Sequence, residues 1–396
     1  MIGLLFWLFV AFILYTYAGY PLLIAILARL RPRPPRVDAR LLPPVTLLIA
    51  AYNEEKVIAR RIENALALDY PRESVQILVA ADGSDDRTPE IVGTYAGRGV
   101  ELSYEPQRRG KMAAINRAIL RARGEIVVFS DANNLYRPDA LRELVAPFQR
   151  PRVGVVSGAK HVAKDEDALS ASEGLYWKYE SFIKKCEARL GCCVAVAGEI
   201  LAVRRDLFQA PPEAVICDDF FTAMMIVRQG YNVDYAQEAV SVERVSASAQ
   251  DEVARRGRII AGRYQAIALA RRLLTWRRPA VAWQVVSHKF FRPFVPHALI
   301  GIFLVSLLAV IFPRESDGAG ILALAFPYNW VFFAPQVLFY VWAVIGMRFE
   351  RRGSAWKLLY LPSYLVNSNL AAVIGGCRFL AGKHSVLWPK VARKED

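Results

Sequence analysis

"VTLLIAAYN", residues 45–53, decides the fold class of this chain. The run is almost continuously apolar and contains β-branched residues, which is typical of a strand buried on both faces of a parallel sheet. Residues 54–68 then show helical periodicity, and residues 75–83, "VQILVAADG", repeat the strand pattern. Strand and helix patterns continue to alternate at spacings typical of βαβ units. We therefore predict a doubly wound α/β domain with a mixed sheet over residues 44–245.

Polar side chains stand where three of the predicted strands end. Tyr52, Asn53 and Glu54 end the first strand, Asp82 ends the second, and Asp131 ends a later one. Each residue alone is explained by a turn or a helix cap. In doubly wound sheets, however, ligands bind beyond the carboxyl ends of the strands. Three separate strands that deliver such groups to one edge favour a shared ligand.

A glycine followed by Lys111 opens a predicted helix in "RRGKMAAIN", residues 108–116. A cation and free backbone N–H groups at a helix N-terminus suit a phosphate. The alternative is that Lys111 is an ordinary surface lysine exposed to solvent. The sequence has neither a GxxxxGK[ST] P-loop nor a GxGxxG fingerprint, which removes the main support for a simple NTPase or a dinucleotide enzyme.

The first 28 residues contain no charged side chain, and several arginines follow directly. An apolar run of this length can cross a bilayer as a helix. A cleavable signal peptide would need a basic start, which is missing. We therefore expect an uncleaved N-terminal transmembrane helix over residues 1–28 and a basic linker over residues 29–43.

Three further apolar runs lie near the C-terminus. Residues 293–313 and 321–347 are predicted to cross the membrane, and residues 358–376 to be transmembrane or re-entrant. By the positive-inside rule, their basic flanks face the cytoplasm. Amphipathic interfacial helices over residues 246–292 and a basic cytoplasmic tail over residues 377–396 complete the expected organisation. A cytoplasmic tail favours a re-entrant or interfacial position for the last run.

The formal net charge is +14 over 396 residues. Basic flanks that face anionic lipid account for much of this charge, so we expect membrane lipids as partners and no nucleic acid. The five cysteines show no paired zinc spacing, and free thiols are the default in a cytoplasmic domain. The expected location is the cell membrane, multi-pass, with the α/β domain in the cytoplasm.

Six short motifs follow one another along the predicted domain and the helix after it. They are "AAYNEE", "ADGSDDRT", "RRGKMAAIN", "FSDAN", "CDDF" and "RRGRIIAG". Each motif is weak alone, but their order and spacing resemble those of membrane-bound family 2 glycosyltransferases, which include relatives of cellulose, chitin and hyaluronan synthases. The resemblance covers the predicted cytoplasmic section and the surrounding helices, and it implies a Rossmann-like GT-A fold.

The resemblance implies roles at a donor site. Asp82 would contact the nucleotide base and Lys111 the diphosphate. Asp131 and Asn133 occupy the DxD positions, which in the family bind a divalent metal that bridges the phosphates. Mg²⁺ and Mn²⁺ accept amide as well as carboxylate oxygen, although Asn133 removes one charge from the usual pair. The predicted donor-binding set is Tyr52, Asn53, Glu54, Asp82, Lys111, Asn116, Asp131 and Arg255.

By the same resemblance, Asp219 of the pair Asp218–Asp219 would be the general base, although Asp218 is equally suited to cap the following helix. A neighbouring carboxylate raises the pKa of such a base and a helix N-terminus lowers it, so the direction stays open. Arg258 would stabilise the departing diphosphate, or else face phospholipid. Ile259 stands where polymer synthases have a tryptophan, which argues against long-chain synthesis without excluding it.

The acceptor side is less marked in the sequence. "VAVAGEILAVRRDLF" resembles the strand and turn that place an acceptor in this family, and Glu199 at its tip is the acceptor candidate. Trp177 and Tyr179 either face the acceptor or pack an amphipathic helix, and packing is the favoured interpretation.

Together these expectations describe an inverting sugar transferase at the cytoplasmic membrane face. It would use a nucleotide-diphosphate sugar, with UDP favoured, and a lipid or saccharide hydroxyl as acceptor. One alternative is a processive polysaccharide synthase, whose membrane helices would form a polymer path. The other is a non-enzymatic membrane scaffold with a degenerate transferase domain, for which Asn133 is the best support.

Overall fold

The computed structural model describes residues 2–32, 37–38, 40–163, 168–243, 249–314, 320–349 and 356–383. Eight strands within these ranges form one sheet. They are β1 Val45–Ala51, β2 Val75–Asp82, β3 Val100–Glu105, β4 Ile126–Asp131, β5 Leu135–Tyr136, β6 Val153–Val162, β7 Leu201–Arg204 and β8 Asn232–Glu243.

The sheet is mixed, with the strand order β3-β2-β1-β4-β7-β6-β8-β5. The first four strands are parallel, and Val45 of β1 pairs with Val75 of β2 and Ile126 of β4. β7 is antiparallel to both β4 and β6, while β8 runs parallel to β6. The predicted α/β class and doubly wound mixed sheet are confirmed.

The helices of the described ranges lie around this sheet and beside it. They are α1 Ile2–Arg29, α2 Ile58–Leu66, α3 Thr88–Gly93, α4 Lys111–Ala118, α5 Ala140–Val145, α6 Ala168–Leu190, α7 Asp218–Arg228, α8 Ala249–Ala268, α9 Ala270–Leu273, α10 Pro279–Ile311, α11 Gly320–Ala323, α12 Tyr328–Phe349 and α13 Lys357–Leu380.

β1 shows why helices cover both faces of the sheet. Its side chains alternate between two apolar clusters, as strand geometry requires. Leu47 packs in one cluster with Ile62 of α2, and Leu48 packs in the other with Ile115 of α4. All four side chains are buried, so the end of β1 is held rigidly between two helical layers.

Among the described residues, four helices are long and apolar enough to cross a membrane: α1, α10, α12 and α13 from Leu358 onwards. α10 begins well before residue 293, where the sequence placed the start of this span. Its first part carries His288 and Arg292, which a hydropathy pattern assigns to water. Both side chains are buried against Glu180 and Glu187 of α6, and the helix continues through them.

α13 is one continuous helix and not a segment that turns back on itself. It packs closely along α8, because a Cβ on Gly375 would lie 2.5 Å from the carbonyl oxygen of Gly257. Its first turns contact the end of α12, where Ser363 donates a hydrogen bond to the carbonyl of Ala343.

Some predictions fall outside the described residues. The tail beyond residue 383, residues 315–319 between two of the predicted spans, and residues 350–355, which include Arg351 and Arg352, are not described. All five cysteines are described and none is in a disulfide, which confirms the expected free thiols.

Candidate active site

One cavity of about 1830 Å³ begins at the carboxyl ends of β1, β2 and β4. It continues between α10, α12 and α13, where its lining is mainly apolar. Most of the predicted site residues therefore share one space. Those that line it are Tyr52, Glu54, Asp82, Lys111, Asp131, Asn133, Glu199, Asp218, Asp219, Arg255 and Arg258.

Lys111, the first residue of α4, joins two carboxylates from distant parts of the chain. Its Nζ atom lies 2.6 Å from Asp131 Oδ1 and 4.0 Å from Asp218 Oδ2. Burial disfavours the ammonium charge, but the two carboxylates outweigh this effect and raise the pKa of Lys111. The lysine is therefore a fixed cation in the cavity wall and not an ordinary solvated side chain.

Asp82 holds the loop that presents Lys111. Its carboxylate accepts hydrogen bonds from the backbone N–H groups of the two residues before Lys111, at 2.9 and 2.7 Å. The loop also passes Gly83, where φ is +60° and a Cβ would lie 2.5 Å from Arg108 N, so that only glycine fits. Asp82 thus positions the loop, and its contact to a nucleotide base stays a prediction.

Tyr52 and Arg108 form a flat part of the cavity wall. The guanidinium carbon of Arg108 lies 3.7 Å from the centroid of the Tyr52 ring, which is a cation–π contact. Arg108 was not predicted from the sequence as a site residue. The available signal was the arginine pair before Gly110, but only the folded loop shows which arginine faces the cavity.

Two predicted donor-binding residues do not line the cavity. Asn53 donates to Asp85 Oδ1 at 2.5 Å and accepts from the Asp85 N–H at 3.0 Å, so it joins the loops after β1 and β2. Asn116 donates to the carbonyl of Pro211 at 3.0 Å. Both asparagines hold loops, a role that a motif does not distinguish from ligand binding.

Asp131 and Asn133 offer oxygen ligands at the end of β4. Asp131 Oδ1 contacts Lys111, and Asn133 Oδ1 is buried without a hydrogen-bond partner in the described part of the chain. Among the described residues, no group of three or more His, Cys, Asp or Glu side chains could hold a metal alone. Mg²⁺ commonly uses one or two protein oxygens together with substrate phosphates and water. The pair therefore fits a metal that binds together with a diphosphate.

Asp219 lines the cavity at the start of α7. Enclosure by the protein and the adjacent charge of Asp218 raise the pKa of Asp219 to about 6, although the Phe220 N–H donates to Asp219 Oδ1 at 2.7 Å. A carboxylate with this pKa is a suitable base near neutral pH. The capping alternative does not hold for Asp218, because the residue at the cap position is Cys217, whose side chain makes no capping bond.

The two arginines of α8 have different surroundings. Arg255 is held by Glu252, which accepts from Arg255 Nε at 2.9 Å and from Nη2 at 2.7 Å. Arg258 lines the cavity within electrostatic reach of Asp218 and Asp131, so the lipid-facing alternative is wrong for it. Burial lowers the pKa of Arg258, but a guanidinium stays charged in proteins.

On the acceptor side, Glu199 lies in the turn before β7 and Trp177 projects from α6, and both line the cavity. The packing interpretation was therefore wrong for Trp177. It agrees with Tyr179, whose hydroxyl donates to the carbonyl of Tyr17 at 2.9 Å. No local pattern separates the two aromatic residues, because only the placement of α6 decides which one reaches the cavity.

This fold and this site define a glycosyltransferase with the GT-A architecture. Residues 43–260 match the family described as "Glycosyltransferase like family 2", and the chain belongs to that family. The fold is also similar to a solved structure described as "Mannosyltransferase PcManGT from Pyrobaculum calidifontis in complex with GDP-Man and Mn2+". The TM-score is 0.72 with 22% identity, over 97% of this chain and 100% of that one. At this identity the likeness concerns the fold alone.

Two groups of curated relatives are similar in sequence. A "Beta-monoglucosyldiacylglycerol synthase" from Trichormus variabilis is 34% identical over 130 residues, which are 32% of this chain and 28% of the relative. A "Poly-beta-1,6-N-acetyl-D-glucosamine synthase" from Staphylococcus aureus is 25% identical over 207 residues, or 51% of this chain and 50% of the relative. The chain thus matches half or less of the length of these relatives.

Proposed function

We propose that this protein transfers a sugar from a nucleotide-diphosphate sugar to an acceptor hydroxyl at the membrane surface, with inversion at the anomeric carbon. The observation that carries the proposal is the convergence of Lys111, Asp131 and Asp219 in one cavity that continues between apolar helices. A fixed cation, oxygen ligands for a metal and a carboxylate with a pKa near 6 are the groups that this reaction needs.

The donor would lie along the ends of β1, β2 and β4. Lys111 would bind the diphosphate, and the stacked Tyr52 and Arg108 offer a planar surface for the base. UDP stays the favoured nucleotide on the resemblance to the family, and the similar mannosyltransferase structure, whose description names GDP-Man, makes GDP the second nucleotide to test.

The reaction follows from the positions of three charged groups. Asp219 takes the proton of the acceptor hydroxyl while that oxygen attacks the anomeric carbon of the donor. A carbon–oxygen bond forms on the face opposite the diphosphate, the bond to the diphosphate oxygen breaks, and the nucleoside diphosphate leaves with the bonding electrons. Lys111 and Arg258 provide fixed positive charge for the charge that develops on the leaving group.

Asp131 and Asn133 would hold a divalent cation, Mg²⁺ or Mn²⁺, together with the two phosphates. Such a cation neutralises charge on the diphosphate. Asn133 contributes a neutral oxygen, so we expect weaker metal binding in the absence of donor than at a site with two carboxylates. The diphosphate then supplies the missing negative charge.

The acceptor would approach from the membrane side. The cavity wall between α10, α12 and α13 is mainly apolar, which suits the hydrocarbon part of a lipid-linked acceptor. The names of the relatives describe a glycolipid synthase and a polysaccharide synthase, both consistent with an acceptor of this kind. We propose a cytoplasmic orientation for the domain, because the linker that joins it to α1 is basic.

A donor screen tests the proposal. The full chain, purified into lipid nanodiscs, is incubated with UDP-glucose, UDP-N-acetylglucosamine or GDP-mannose in the presence of Mn²⁺, and released nucleoside diphosphate is measured. We expect release with at least one donor. Absence of release with every donor would overturn the proposed transfer and favour the scaffold alternative.

Asp219→Asn is the variant that isolates the base. The amide cannot accept the hydroxyl proton, so we expect the transfer rate to fall by about 10²- to 10⁴-fold while the Kd for the nucleoside diphosphate stays within about twofold of wild type. Transfer at the wild-type rate would remove Asp219 from the mechanism. Product mass and length, read in the same assay, separate single transfer from processive synthesis.

A further inference from the structure

A group of charged and aromatic side chains that the steps above do not use lines the same cavity. Lys160 of β6 lies 3.3 Å from Glu199 Oε1 and also forms an ion pair with Glu243 of β8. The Lys160 ammonium group lies 5.2 Å from the centre of the Trp177 ring. The three charged side chains are 12% exposed or less.

This group is next to the base. Gly198 packs against Asp219, since a Cβ on Gly198 would lie 3.2 Å from Asp219 Cβ, and Glu199 is the next residue. Lys160 and Trp177 then extend the wall from Glu199 along the cavity. A molecule that presents a hydroxyl to Asp219 therefore enters a cavity that Glu199, Lys160 and Trp177 also line.

The chemistry of this wall matches a sugar ring and not a hydrocarbon or a simple alcohol. Glu199 Oε1 is buried and, although 3.3 Å from Lys160 Nζ, it has no hydrogen bond of good geometry within the described residues. A buried carboxylate oxygen whose cationic neighbour is poorly aligned gains from further hydrogen-bond donors, which ring hydroxyl groups would supply. The half-buried indole of Trp177 offers the flat apolar surface that packs against the C–H face of a pyranose.

We propose that Trp177, Lys160 and Glu199 form an acceptor subsite for a sugar ring, so that the substrate that accepts the transferred sugar already carries one. The inference rests on the proposed function and narrows its acceptor to a glycolipid or another lipid-linked saccharide. Trp177 packs on the ring, Glu199 and Lys160 bond its hydroxyl groups, and one hydroxyl gives its proton to Asp219 as it bonds to the donor carbon.

The test compares matched acceptors in lipid nanodiscs. The full chain is given the donor with the fastest diphosphate release and either 1-octanol or the octyl glycosides of glucose, galactose and N-acetylglucosamine, below micellar concentrations. We expect the best glycoside to have a KM at least tenfold below that of octanol. Trp177→Ala should raise this KM at least tenfold with little change in kcat, and Trp177→Phe should recover most of the loss.

Two controls separate recognition from folding. The Tm of Trp177→Ala in thermal unfolding should match that of the wild type, because the half-buried indole lines the cavity. Leu175→Ala, at an exposed position of the same helix that does not line the cavity, should leave both KM and kcat unchanged.

The possible outcomes distinguish failure of the proposed function from failure of the acceptor subsite alone. No diphosphate release from any donor in the wild type would overturn the proposed function and the subsite with it. Release that proceeds as well with octanol as with every glycoside, or a glycoside KM that Trp177→Ala leaves unchanged, would overturn the subsite alone. A lower Tm in Trp177→Ala, with an equal loss of transfer to octanol and to the glycosides, would assign the residue a structural role and overturn the subsite.

Discussion

Asp218 and Asp219 stand side by side at the start of α7, and burial together with the charge of Asp218 raises the pKa of Asp219. Lys111 Nζ lies 4.0 Å from Asp218 Oδ2, and the attraction of Lys111 to Asp218 is stronger than its attraction to Asp219. The two carboxylates therefore have different electrostatic surroundings. One carboxylate is bound to a cation, and the other has a pKa of about 6 and faces the acceptor side.

The pH dependence of kcat should reflect the raised pKa of Asp219. A base works only when deprotonated, so we expect kcat at saturating donor to fall about tenfold per pH unit below about 6 and to level off above it. Asp218→Asn removes the neighbouring charge, and the fall should then begin at lower pH. Glu90→Gln, an exposed change far from the cavity, serves as control. An acid limb that does not move in Asp218→Asn would contradict the assignment.

At the scale of single residues, the polar side chains that follow a strand or open a helix were predictable from the sequence. Asp82 and Asp131 were found because polar groups at several strand ends favour a shared ligand, and Lys111 because it opens a helix. Asp219 was found only through the resemblance to the family. Lys160 was missed, because its environment depends on β8 and on the turn before β7, which are distant in sequence. The role of Asn53 in joining two loops was also not predictable, because its hydrogen-bond partner Asp85 belongs to another loop.

At the scale of elements, α6 and α10 are joined by a buried polar cluster. Glu187 accepts hydrogen bonds from Tyr20 of α1 and from the Val194 N–H, and its Oε1 lies 2.7 Å from His288 Nδ1. Glu180 pairs with Arg292. These contacts tie both membrane helices to the α/β domain, and they explain why α10 begins before the apolar run does.

Removal of Glu187 should therefore destabilise the whole chain. Glu187→Leu leaves three buried donors without their acceptor, and we expect a loss of about 3–5 kcal/mol in the free energy of unfolding. Thermal unfolding in detergent measures it as a lower Tm. Glu63→Leu breaks the exposed ion pair with Arg98 and should leave the Tm unchanged. Equal Tm values for the two variants would show that the cluster is not a stabilising link.

The parallel half of the sheet was predictable, because β1, β2 and β4 are buried on both faces and their apolar runs are nearly continuous. The boundaries of α10 were not. Charged residues inside a membrane helix lower its hydropathy, and their partners on α6 lie about a hundred residues earlier in the chain. Long-range pairing of this kind leaves no periodic pattern.

At the scale of the whole molecule, α13 decides the topology. Its first turns contact the end of α12. Near its end, the ring of Phe379 stacks on Tyr264 at 6.0 Å between centroids, and the Tyr264 hydroxyl donates to the carbonyl of Pro293 before the apolar part of α10. One end of α13 therefore lies beside the end of α12, and the other lies beside the start of the apolar part of α10. With the proposed cytoplasmic orientation and the basic tail, we expect α13 to lie along the membrane surface and not to cross it.

Reporter fusions measure this topology. If α13 does not cross, green fluorescent protein fused after residue 396 should be fluorescent in a bacterial host, and alkaline phosphatase at the same point should be inactive. Fusions at residue 43 and within the loop at residues 315–319 provide the cytoplasmic and outer controls. An active phosphatase after residue 396 would establish that α13 crosses the membrane.

The continuity of α6 links the cavity wall to two other helices. A single rigid rod carries Trp177 in the cavity wall and, one and three turns further on, Glu180 and Glu187, which grip α10 and α1. A displacement of α10 or α1 relative to the sheet would therefore move the indole as well. The packing of these two apolar helices and the shape of the cavity wall are mechanically coupled through α6.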